Sequence, residues 1–200
     1  MFGFLKRSAA KPSGNIFLFV GRGQLPENLL SLYEKNKSIS SKYNIHVISP
    51  ESEWYPKPSG VTNQSHSLAK LKATEANVSK MIQEICDRDG LKQSECILSG
   101  FSSGAVLAFS LWMNGHYETM ISHSGCILDV KDVKGNKGHK ECLLIHNRDD
   151  DCFTWEERYM PTKSSLVSGG YDVSTVERCF GGHTMSSMDV AYVAAYLNLV

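Results

Sequence analysis

Short β-rich runs, the first of them continuously apolar, alternate along the chain with longer stretches in which apolar residues recur every three or four positions. The short runs are NIFLFV (Asn15–Val20), YNIHVISP (Tyr43–Pro50), ECILSG (Glu95–Gly100), TMISHSG (Thr119–Gly125), ECLLIHN (Glu141–Asn147) and YDVSTVERC (Tyr171–Cys179). Apolar side chains at successive positions suit a strand covered on both faces, as in a parallel sheet. LPENLLSLYEKNKS predicts a helix whose first turn accepts Pro26. From Ser67 to Asp89, Val78, Met81, Ile82 and Ile85 fall at helical spacing, with Lys80, Glu84 and Asp87 on the other side. Ala105 to Met113 is a helix apolar nearly all round, ended by Gly115. WEERYMPTKSSLVS reads as partly helical, bent or divided by Pro161. A last helix from Met185 places Val190, Val193, Ala194 and Leu197 on one face.

Strands alternating with helices predict an α/β fold, with a mostly parallel central sheet and helices on both faces. No repeat or linker divides residues 15–200, which read as one domain with no separate cap. The segments Glu51–His66 and Lys131–Lys140 are expected to border the cleft as loops. The first fourteen residues show no strand pattern and are expected to lie outside the domain, disordered.

Composition narrows the function. The 200 residues carry 21 basic and 21 acidic side chains, so nothing favours binding to nucleic acid or an anionic membrane. The basic run KDVKGNKGHK reads as a solvated loop. No apolar stretch reaches the roughly 18 residues of a membrane span, and MFGFLKRSAAKPSG lacks the apolar centre of a signal peptide. The six cysteines form no close CxxC pair. Reduced thiols and a cytoplasmic location are the expectation.

Chemistry concentrates where strands end, which is where open parallel sheets gather their sites. GFSSG fits G-x-S-x-G with Ser102 central, between a buried strand and an apolar helix. Side chains two positions either side of such a sharp turn would collide. Centring the motif on Ser103 would put Phe101 where a small residue is needed. Ser102 is therefore the nucleophile candidate, and the N–H of Ser103 can donate to a developing oxyanion. A second strand ends in the aspartates of HNRDDDCF; spacing alone does not choose among Asp149, Asp150 and Asp151 as the partner of an imidazole. After a third, His183 follows two glycines on a loop free enough to swing into a cleft. His123 and His146 also end strands and read as structural first. Serine, aspartate and histidine in that chain order match this fold's usage.

These residues resemble the phospholipase/carboxylesterase family of α/β-hydrolases, and the likeness runs from about Asn15 to the C-terminus. GFSSGA is similar to the family's G-F-S-Q-G-G, and HNRDDDCF to H-G-x-x-D-x-x-V. GGHTM is similar to the segment that carries the base, and FVGRGQ to H-G-x-G after the first core strand. The resemblance implies Ser102, Asp150 and His183 as the triad, with the Arg22 N–H as second oxyanion donor. It also implies that Trp54 lines the cleft. Val20, Ser103, Ala105 and Asn147 depart from the family pattern without removing a reacting group.

The expected activity is hydrolysis of a small-molecule ester through an acyl-enzyme, without metal or organic cofactor. Acyl-protein thioesterase or lysophospholipase activity would use the same groups. A binding module on an inactive hydrolase scaffold is the non-enzymatic rival. A monomer or homodimer is expected, with no stable membrane insertion.

Overall fold

In the computed structural model, residues 2–10, 12–57, 64–136 and 138–199 are described. Seven strands form one sheet: β1 (Phe2–Arg7), β2 (Gly14–Phe19), β3 (Tyr43–Pro50), β4 (Cys96–Phe101), β5 (Thr119–His123), β6 (Glu141–Asn147) and β7 (Asp172–Arg178). Their order across the sheet is β1-β3-β2-β4-β5-β6-β7. Every neighbouring pair is parallel except β1 with β3. Among the described residues, six α-helices accompany the sheet: α1 (Pro26–Lys35), α2 (Lys37–Ser40), α3 (Gln64–Asp89), α4 (Ser103–Asn114), α5 (Met160–Ser168) and α6 (Ser187–Tyr196).

The central apolar runs become strands because each is covered on both sides. All six residues of β2 are buried, as are the five residues Cys96–Gly100 of β4. The first ten residues of α4 are buried too, which accounts for its lack of a polar face. Right-handed crossovers set the layering. The path from β2 to β3 runs one way, whereas those from β3 to β4 and from β4 to β5 run the other. That reversal puts α1 and α3 on opposite faces; α1 packs with α6, and α3 with α4. It also opens a crevice between the carboxyl ends of β2 and β4.

Three expectations change. Phe2–Arg7 is a strand, paired antiparallel from Phe2↔Pro50 to Arg7↔Ile45. Its own pattern is weak, but without it the outer edge of β3 would present unpaired backbone groups. Phe2 stacks on Trp54 with ring centroids 5.9 Å apart, and Lys6 reaches Asp89. The partly helical stretch before β7 is a five-residue π turn, Trp155–Tyr159, running directly into α5. Pro161 has no N–H for the ordinary helical bond and crowds the preceding turn, which widens. Lys140 is not solvated: its ammonium donates to the carbonyls of Trp112, Gly115 (2.8 Å) and Tyr117 (3.1 Å) at the end of α4. Residues 58–63 of one predicted loop and Lys137 of the other lie outside the described residues. Among the described residues no helix is long and apolar enough to cross a membrane.

Candidate active site

Ser102 sits at the turn from β4 into α4 with φ 56° and ψ −124°, a conformation that costs a non-glycine residue about 1–3 kcal/mol. Close packing imposes it. A Cβ on Gly104 would lie 2.2 Å from the Phe19 carbonyl oxygen, and one on Gly100 would lie 2.5 Å from the Gly104 backbone. Both glycines of the motif are therefore required by backbone approach. The Ser102 N–H donates to the His123 carbonyl at 2.9 Å, tying the turn to β5.

The end of β6 supplies three aspartates, and geometry separates them. Asp149 accepts from the N–H groups of Gly181 (3.1 Å) and Gly182 (2.8 Å). Asp150 is buried and faces the His183 imidazole, with Oδ2 at 2.8 Å from Nδ1. Its Oδ1 accepts from the N–H groups of Cys152 (2.9 Å) and Phe153 (2.8 Å). Asp151 is exposed. Burial pushes the Asp150 carboxyl up, but the bonds from His183 and those two N–H groups outweigh it and hold it below its ordinary value.

His183 completes the line: its Nε2 lies 2.8 Å from Ser102 Oγ. With Nδ1 donating to the carboxylate, Nε2 is the acceptor for the serine hydroxyl. The ring lies between Phe101 and Phe153, with centroids at 4.9 and 5.7 Å. Its loop does not swing freely. Asn147 Nδ2 donates to the Gly182 carbonyl at 2.7 Å, while Arg178 Nε donates to Asn147 Oδ1 at 2.7 Å. The departure Asn147 thus has a task, which is to fasten the loop that carries His183. Asp150, Cys152 and His183 also bring ligand-type atoms within 4.8 Å of one another, but both imidazole nitrogens are already engaged.

The loop after β2 lies against the same turn. A Cβ on Gly21 would be 3.2 Å from Ser102 Cβ, and Gln24 closes the loop by accepting from the Gly21 N–H at 2.9 Å. Arg22 and Ser103 both line a cavity of about 270 Å³ at Ser102 and His183.

Trp54 requires a correction. It is 2% exposed, donates from Nε1 to the Val20 carbonyl at 2.7 Å and packs edge-on against Phe19. Its neighbour Tyr55 lines the cavity instead. The chain bends at these two residues, and the indole N–H of Trp54 finds a carbonyl on the core side. The sequence reading also missed Lys57, Arg158, Leu128 and Phe153 as lining residues. No local motif marks them. His146, read as structural, donates to the Phe153 carbonyl at 2.8 Å and stacks on Tyr159.

Comparisons with known proteins agree with this architecture. No curated protein matches the chain in sequence. Among solved structures, the Bacillus cereus carboxylesterase is similar with a TM-score of 0.82 and 15% identity, over 99% of this chain and 94% of that one. The Mesorhizobium loti carboxylesterase gives 0.81 and 19%, over 98% and 94%. YahD, solved with malic acid, gives 0.80 and 16%, over 99% and 98%. At such identities the likeness speaks for the fold alone. The sequence model of the phospholipase/carboxylesterase family matches residues 38–200, and the chain belongs to that family of α/β-hydrolases.

Proposed function

We propose that the chain hydrolyses carboxylic esters through an acyl-enzyme, with Ser102 as nucleophile, His183 as base and Asp150 as its orienting carboxylate. One observation carries this reading: the unbroken line from Asp150 Oδ2 through His183 to Ser102 Oγ, each step 2.8 Å. Ser102 Oγ attacks the ester carbonyl as His183 Nε2 takes its proton. Asp150 stabilises the imidazolium that forms. The N–H groups of Arg22 and Ser103 receive the oxyanion, and the start of α4 adds the positive end of a helix dipole. His183 returns the proton to the leaving alcohol, then activates water to release the acid.

The test is hydrolysis of 4-nitrophenyl acetate, butyrate and octanoate by the wild type and by Ser102→Ala. A fluorophosphonate label on Ser102 and a folding check accompany it. Loss of both hydrolysis and labelling in the folded variant supports the reading; full activity in Ser102→Ala overturns it. YahD, solved with malic acid, puts a small dicarboxylic acid among the ligands to try.

A further inference from the structure

The charge lining the cavity at Ser102 has one sign. Arg22, Lys57 and Arg158 contribute to the wall, and among the described residues no aspartate or glutamate does. The chain as a whole is neutral, so the asymmetry is local. Arg22 is largely accounted for: it pairs with Glu53 at 3.1 Å and donates to the Tyr55 carbonyl at 3.1 Å. Among the described residues, neither Lys57 nor Arg158 has a carboxylate partner.

Arg158 is half-buried and rides on the π turn, whose N–H groups at 158 and 159 both donate to the Thr154 carbonyl. The widened turn lets Tyr159 enter the core while Arg158 faces the cavity. Its charge reaches Tyr55 and Cys126, where burial pushes the pKa up and the guanidinium opposes it. A half-enclosed guanidinium without a counter-charge, beside a lysine of the same sign, is a receptor for an anion. Leu128 and Phe153 supply apolar wall beside these cations.

We infer that this cavity selects esters bearing a second, anionic group, a carboxylate held by Arg158 and Lys57 while the ester carbonyl lies at Ser102. The inference rests on the hydrolase reading and narrows its substrate class. The carboxylate belongs either to the acyl part or to the leaving alcohol.

Two substrate pairs separate these cases: mono-4-nitrophenyl adipate against its methyl ester, and 4-acetoxybenzoate against methyl 4-acetoxybenzoate. Spontaneous hydrolysis is subtracted from each. The expected result is a kcat/KM higher for the charged member of one pair by about tenfold or more. That ratio should collapse in Arg158→Gln, fall partly in Lys57→Gln and shrink as salt is raised. The pair that responds tells which side carries the charge. Ratios near or below one in both pairs overturn the inference, as does a preference that survives Arg158→Gln and Lys57→Gln together. Inertness toward all four esters, with Ser102 still labelled by a neutral fluorophosphonate, also overturns it while leaving the hydrolase reading in place. Failure of that label on folded protein removes the hydrolase reading itself.

Discussion

Two turns carry Ser102 and His183, and they are held by opposite means. The Ser102 turn is fixed by contact: backbone of β2 fills the space where Gly104 would carry a side chain. The His183 turn is fixed by polar bonds, with Asp149 accepting from two of its N–H groups and Asn147 donating to a carbonyl. Steric packing leaves a position almost no freedom, because interiors are dense and overlap is steeply unfavourable. Polar bonds on a partly exposed loop hold less tightly and depend on charge. Ser102 is thus anchored in the core, whereas His183 is fastened from the surface.

Breaking the polar side at its centre should have the largest effect. Asp150→Asn keeps the shape but loses the charge and the tautomer control on His183, and kcat should fall by about 10⁴. Steady-state kinetics on a 4-nitrophenyl ester, with circular dichroism for folding, checks it; a loss below tenfold would show that Asp150 does not serve His183. Breaking the steric side should instead cost stability. Gly104→Ala forces a methyl against the Phe19 carbonyl, and unfolding free energy should drop by about 3 kcal/mol or more. A urea midpoint like the wild type's would mean that the turn yields easily.

Two buried histidines extend the comparison to acid stability. Burial, with the charge of nearby Lys6, lowers His46 to about 4. Burial lowers His123 to about 4 as well. The unfolded chain takes up these protons near pH 6.5, the folded one only near pH 4, so between those values the unfolded state binds more protons. Stability is therefore full above about pH 6.5 and falls as the pH drops toward 4, by on the order of 3 kcal/mol for each histidine. Urea titrations at stepped pH would reveal the slope, and His46→Gln should flatten it. An unchanged slope in that variant would assign the acid lability elsewhere.

The smallest effect is expected at Asp149. Asp149→Ala removes the acceptor for Gly181 and Gly182, and kcat/KM should fall about tenfold with only a small change in melting temperature. Asp149→Asn, which retains an acceptor, should recover part of the loss. Equal kinetics in all three proteins would show that Asn147 alone fastens the loop.

This contrast also explains what could be read from sequence. Gly100, Ser102 and Gly104 are legible because the steric demand of the turn is written in residue size at fixed spacing. The central strands β2 and β4 are legible because burial on both faces leaves apolar runs. β1 is not: FGFLKR becomes a strand because β3 offers an open edge, a property of its neighbour. Asp150 could not be separated from Asp149 and Asp151 by position, since their partners lie on another loop. The placement of Trp54 failed by one residue, with Tyr55 facing the cavity instead. Lys57 and Arg158 stayed hidden because which loop side chains face a cavity is decided by tertiary packing.

Helix α4 joins these threads from its far end. It holds the Ser102 turn at its start, and its last carbonyls accept from the Lys140 ammonium. Twelve residues put the two ends about 18 Å apart. The Lys140 anchor therefore lies a full helix length away from Ser102. Variation can work on the two regions separately: residues around Lys57 and Arg158 can be exchanged while the Lys140 anchor of the helix stays undisturbed. A scaffold divided in this way can take changes in its cavity wall while the helix that begins at Ser102 keeps its far anchor.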